Sequence, residues 1–211
     1  MANNIFTGAI NSNSNVAGNW SLGVVPTSGD GNTAVLDASS PNFKITGSSL
    51  QVDGWDSSLF TGDIDFNDLD LILRGDAIFG INNNLIIGTG ANNKITLGAN
   101  GINITTNGLV LKRVSSLNYS YNLIDDLNVD KMFFSNGTTI SSSTGSKIVV
   151  NDEIVKTSPV TNIFNCDIYV KGNMTAFSGI GYYQIQSGKF FYFDGNKIGR
   201  ASCRERVYVL V

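Results

Sequence analysis

The 211-residue sequence contains no histidine. That absence removes Ser-His-Asp and Cys-His catalytic arrangements, the usual His-ligated zinc sites and the one side chain that titrates near neutral pH. Cysteine is scarce too. Cys166 and Cys203 stand far apart with no CxxC pair, so Cys166 reads as a small buried hydrophobe rather than half of a disulfide. Charged residues are 15% of the chain, well under the usual roughly 25%. The net charge of −3 supplies no basic stripe for a nucleic-acid backbone. No apolar run approaches the roughly 18–20 residues needed to cross a bilayer, and MANNIFTGAINSNSN has neither a basic n-region nor an apolar h-region. Glutamate is nearly missing: of 17 acids only Glu153 and Glu205 are Glu, and the rest are Asp, which suits turns and strand ends rather than helices. Nucleic acid and membrane are therefore not expected partners, and the chain is not expected to be an enzyme.

What remains is a β-forming alphabet. Glycine, at 23 residues, is about 11% of the chain against an average near 7%, as many tight turns require. The organising stretch runs from Phe43 to Thr106, where short runs rich in Ile, Leu, Val, Phe and Thr alternate with Gly, Asn, Asp and Ser. A strand recurs roughly every 8–12 residues, and no window has a helical period. ITGSSLQVDGWDSSLFTGDIDF, LDLILRGDAIFGINNNLIIGTG and KITLGANGINITTNGLVLKR read as imperfect repeats of roughly 18–22 residues, close to one turn of a three-sided coil of strands. The expected fold is all-β, a right-handed parallel β-solenoid (β-helix) with an N-terminal cap; the alternative is a β-sandwich or jelly roll. Asn and Asp at the turns are expected to stack into ladders.

Residues 1–42 read as the capping segment, with strands near Asn4–Thr7 and Thr33–Asp37 and Trp20 covering the open end of the core. Residues 43–197 form the solenoid. Within it KIVVNDEIVKTSPV reads as two strands about Asn151-Asp152, and Tyr182–Gln186 with Lys189–Phe193 as a C-terminal hairpin turning at Ser187-Gly188. Residues 198–211 read as a non-native tail. They hold three of the five arginines, and Ile198 to Val207, IGRASCRERV, resembles translated sequencing adapter. Without the tail the chain has 11 basic and 16 acidic residues (14 − 3 and 17 − 1), a net charge of −5.

Three groups of residues are candidates for chemistry. Asp63, Asp65 and Asn67 stand at alternate positions as in a calcium loop, which makes calcium the one cofactor to consider. Asp68 then stands where such a loop turns on Gly, and Arg74 where it needs a bidentate Glu; the simpler reading puts Asp63 and Asp65 on the solvent face of a strand whose inner face is Ile64 and Phe66. Carboxylates brought together by stacked turns, Asp65 with Asp70 or Asp125-Asp126 with Asp152, have the residue types for glycoside hydrolysis. Tyr183, Phe191 and Phe193 form the candidate ligand face, an aromatic platform for sugar rings. The N-x-S/T triplets at Asn19, Asn103, Asn118, Asn136 and Asn173 are expected by composition alone.

GNWSLGVVPTSGDGNTAVLDASSPN followed by LFTGDIDFNDLDLILRGD resembles a group of β-helical proteins found as phage virion appendages or fibres and as bacterial surface adhesins. Gly18-Asn19-Trp20-Ser21, Gly23, Pro26, Asp30, Asp37 and Phe60-Thr61-Gly62 carry the likeness, which spans residues 4–110. It implies a structural or adhesive role and transfers no catalytic residue. The expected function is a structural protein of a phage virion (fibre, spike or capsid appendage), located on the virion or an extracellular surface and assembling with itself as a trimer or filament. A secreted bacterial adhesin or filament subunit is the alternative, then a solenoid polysaccharide lyase or hydrolase; a cell-surface glycan is the expected partner besides a second copy.

Overall fold

Thr33–Val35, Phe43–Lys44 and Leu50–Val52 are short extended runs parted by polar, turn-forming segments, and the chain takes a corner between each and the next. The next turn repeats the path with Gly54–Ser57, Asp63–Asp65 and Leu71–Leu73, and the third with Ala77–Phe79, Asn84–Ile86 and Ile95–Leu97. A computed structural model describes residues 2–87, 94–116, 119–134, 137–156, 161–175 and 183–193. In it every ladder between strands is parallel, and within each sheet a strand pairs with its counterparts one turn earlier and one turn later, the end strands on one side only. The fold is an all-β parallel β-solenoid. The sandwich alternative fails because it needs antiparallel neighbours.

The first face is a nine-stranded sheet, the third face another, and the second a three-stranded sheet ending at Asn84–Ile86. Successive turns step by 21 residues (Thr33 to Gly54), 22 (Trp55 to Ala77), 27 (Ala77 to Ile104) and 19 (Ile102 to Tyr121, and Tyr121 to Ile140). The longest step is from Asn3 to Thr33, 30 residues, where the chain detours to build the N-terminal end. Beyond the second face the third-face strands lengthen to six, eight and nine residues: Leu111–Ser116, Leu127–Phe134 and Ile148–Lys156. The register shifts between Val129 and Lys131, so the long strands bend there. Ile148–Lys156 is thus one strand, where the sequence suggests two. Its halves pair separately, with Ile168–Val170 and with Asn173–Thr175.

Alternation within each run sends every second side chain inwards, and the parallel register stacks these into columns. Leu50, Leu71, Ile95, Val114, Met132 and Ile154 form one; Phe43, Ile64 and Leu85 a second; Ile102, Tyr121, Ile140, Phe164 and Ile185 a third. All are buried. Burying each large apolar side chain contributes about 1.5–3 kcal/mol, against about 1–2 kcal/mol per residue for fixing the backbone. A three-residue strand is stable only because it is sandwiched between two others.

Polar side chains tie the turns together outside. Asn42 Nδ2 donates to Asp63 Oδ2 (3.0 Å), and Asn84 Nδ2 to Asp63 Oδ1 (2.7 Å). On the first face Asn122 Nδ2 donates to Asn103 Oδ1 (3.1 Å), and Asn103 to Asp76. The ladders lie along the faces as well as at the corners. At the N-terminal end the outer edge of Asn3–Ile5 is occupied by its own chain: Ile5 N–H donates to Ser21 Oγ (2.8 Å), Ser21 N–H to Ile5 O (2.8 Å) and Leu22 N–H to Asn4 Oδ1 (3.1 Å). Asn19 is fully buried there; its Oδ1 accepts from the N–H groups of Ile10 and Asn11, and its Nδ2 donates to Asn11 Oδ1 and Asn13 O. Trp20 packs edge-on to Phe6 and Phe43 (5.2 and 6.0 Å between centroids), and its Nε1 donates to Ser14 O. Asp37 closes the following turn. The Ser39 hydroxyl and N–H, with the Ser40 hydroxyl, donate to it and hold its carboxyl below the ordinary value against the opposing pull of desolvation.

The C-terminal hairpin does not form. Tyr183–Ile185 pairs in parallel with Asn162–Asn165 on the first face, and Phe191–Phe193 with Ile168–Val170 on the third. Ser187-Gly188, with Gly188 at φ +76°, is a corner between faces. A two-residue turn flanked by apolar runs reads the same for a hairpin and for a solenoid corner; the partner one turn back wins here. Tyr182 and residues 198–211, with Cys203, lie outside the described residues.

Candidate functional site

Asp63 and Asp65 flank the buried Ile64 on the outer side of the second face. Asp63 is bonded to the turns on either side by the two asparagines above. Asp65 turns the other way: its Oδ1 accepts the Asn67 N–H (2.9 Å), and its Oδ2 lies 3.3 Å from the Lys44 ammonium, on the side a cation would take. Asn67 and Asp68 both adopt left-handed backbone (φ 48° and 59°), the conformation for which a calcium loop uses glycine. No group of three or more His, Cys, Asp or Glu side chains is placed to hold a metal among the described residues.

The candidate carboxylate pairs each have their own partners. Asp70 pairs with Lys94 (3.0 Å), Asp126 with Lys147 (3.3 Å), and Asp125 accepts from the N–H groups of Thr106 and Asn107. Asp152 lies 3.3 Å from Lys131; that contact, then Glu153, raises the Lys131 ammonium pKa above its ordinary value despite some desolvation.

The structure turns two of the aromatic candidates, Tyr183 and Phe191, inwards. Phe191 stands in register with Ile168, and Tyr183 with Asn162, so both face the core. Their rings stack at 6.0 Å, and Tyr183 also meets Phe134 and Phe164 (6.0 and 5.9 Å). The ammonium of the buried Lys156 sits 4.8 Å from the Tyr183 ring centroid. The Phe193 side chain lies outside the described residues. Outward at the same level are Phe190 and Tyr192, with Tyr169 one turn earlier. The sequence reading did not single out Tyr169, and it set the candidate face on the parity opposite to Tyr192. The parity of Ile148 and Ile168, carried one turn on, is the signal that locates them.

Cys166 is fully buried, and burial, helped by Asp167 and opposed by Lys189, pushes its thiol pKa up to about 12. The thiolate is therefore not accessible near neutral pH. In a Cys203→Ser variant, dithiobis(nitrobenzoate) at about pH 8 should label Cys166 only as fast as the protein unfolds. Stoichiometric labelling within the mixing time would contradict this placement.

The fold defines the class of the molecule, a parallel β-solenoid. Comparison with protein-family models, with curated proteins and with solved structures finds no match in any of the three.

Proposed function

We propose that the protein is a structural subunit of a phage virion, a fibre, spike or capsid appendage that acts by self-assembly and surface attachment. The observation that carries this reading is how the polar side chains are used. Turn after turn they bond a neighbouring turn instead of converging on one point. Asp53 accepts from the N–H groups of Gly29 and Gly31, both at 2.8 Å, and Lys94 reaches back to Asp70. Lys112 bonds Asp130, which Asn151 also bonds, and Lys171 bonds Asn151 in turn. Each exposed pair is worth well under about 1 kcal/mol, but a continuous series along the axis resists slippage of one turn on the next, as a mechanical element must. The likeness carried by Gly18-Asn19-Trp20-Ser21 supports the same role.

The N-terminal edge is closed by residues 21–24, so assembly is expected through the sides or the far end. Light scattering of the full chain under reducing conditions, over a range of concentrations, tests the proposal. The expected mass is a closed multiple of 22.6 kDa or a filament distribution. A monomer at every concentration would overturn it.

A further inference from the structure

The outer surface of the third face carries aromatic rings at its C-terminal end, where a solenoid ordinarily shows polar side chains. Ile148, Ile168 and Phe191 point to the core, so the next residue along each strand, Val149, Tyr169 and Tyr192, lies on the outer side, and the three form one column in which Val149 is buried, Tyr169 half-buried and Tyr192 exposed. The Tyr169 and Tyr192 rings are 5.8 Å apart with planes inclined at 42°. Tyr192 is 55% exposed and its neighbour Phe190 68%. One border of this column is Asp126, Lys147 and Asp167, with the Lys147 ammonium 5.7 Å from the Tyr169 centroid. The other is Asp130, Asn151 and Lys171, linked by side-chain hydrogen bonds.

We propose that this face is a glycan-binding platform for an uncharged pyranose chain laid across Tyr169 and Tyr192. The C–H face of a pyranose ring is apolar and flat, and it matches an exposed aromatic ring. The hydroxyls at its rim both donate and accept, so they need acceptors and donors side by side; the carboxylates on one hand and the lysines and Asn151 on the other supply both. The charges on the two borders nearly cancel, three carboxylates against two ammonium groups, which favours a neutral ligand over a polyanion. Successive turns at about 4.7–4.9 Å set the two rings at adjacent levels, so an extended chain can contact both at once. The inference rests on the attachment half of the function proposed above and identifies what is attached to.

Titration calorimetry of the full chain with cellohexaose, chitohexaose and mannohexaose, and with polygalacturonate as the acidic comparison, tests it. At least one neutral hexasaccharide should bind. Tyr192→Ala and Tyr169→Ala should each weaken that binding at least about tenfold, while Tyr192→Phe keeps most of it. Circular dichroism melts and solution mass are read on the same samples. No binding by any of the three neutral sugars, stronger binding of polygalacturonate, or binding unchanged in Tyr192→Ala would each overturn the proposal. Loss of the oligomer in Tyr192→Ala would also overturn it, assigning the patch to contact between copies. A monomer that binds sugar would instead count against the assembly proposal alone.

Discussion

Gly75→Ala is expected to prevent the native stack from forming around the third turn, the largest effect of a methyl group added at any of the described glycines. Gly75 lies at the corner leading into Ala77–Phe79, directly over Asp53 of the preceding turn. A Cβ there would stand 1.6 Å from the Asp53 carbonyl oxygen and 2.8 Å from its carbonyl carbon. The obstacle is backbone, so no rotamer change relieves it. Relief requires opening the roughly 4.8 Å spacing between two parallel turns, and that spacing also holds the Trp55 N–H to Asp76 O bond at 3.0 Å. The cost should exceed the about 1–3 kcal/mol of ordinary overpacking. Gly172 repeats the device against Asp152 O at 1.8 Å, and Gly172→Ala should behave alike. Gly101→Ala is the control: its φ is +75° but nothing lies within 4 Å, so only backbone strain of about 1 kcal/mol applies. Urea denaturation of the three variants checks the order. Equal losses at Gly75 and Gly101 would show that conformation, not contact, governs the corner.

The same glycines show where the sequence stops being legible. Their presence in turns is plain, but a glycine needed for φ > 0 and one needed for close approach look identical in a string of letters. Strand positions were readable because alternation and turn residues are local: Thr33–Val35, Ile95–Leu97 and Phe191–Phe193 fall where apolar runs predict them. Pairing was readable only where the repeat was regular. Between Leu111 and Lys156 the third-face strands still step by 18–22 residues, but they lengthen and a bulge shifts the register, so alternation alone does not show which residues pair. The inward and outward parity of the aromatic residues was misread for a related reason. In KFFYFD every residue from Phe190 to Phe193 is aromatic, so hydrophobicity cannot say which parity faces in. Only the register with Ile168 decides it, and that is a contact across a turn. The burial of Asn19 and Asn83 was not legible, because a buried asparagine differs from a loop asparagine only in what surrounds it.

Trp55→Ala is the second large effect expected, because its site is built by its neighbours on three sides. In the column of the first face Trp55 stands between Ala34 and Ala77, and the two small residues leave the volume that the indole fills. Phe43 and Phe79 close it at 5.8 and 6.3 Å. Its Nε1 donates to Ser57 Oγ (2.9 Å), whose hydroxyl donates to Asn83 Oδ1 (2.7 Å); Asn83 Nδ2 then donates to Phe60 O and Ser57 O. One side chain thus fills the core and anchors a corner of the turn. Truncation to alanine should cost about 3–5 kcal/mol, the usual range for a buried tryptophan. Trp55→Phe keeps most of the volume and removes the donor, at about 1–3 kcal/mol. Because each turn contacts only its neighbours, the damage should be regional. With Trp55 gone, Trp20 is the remaining tryptophan and reports the N-terminal turns alone, while circular dichroism reports the whole stack. In Trp55→Ala the Trp20 transition should precede the circular-dichroism transition; coincident transitions would mean the solenoid unfolds as one cooperative unit despite its linear contacts.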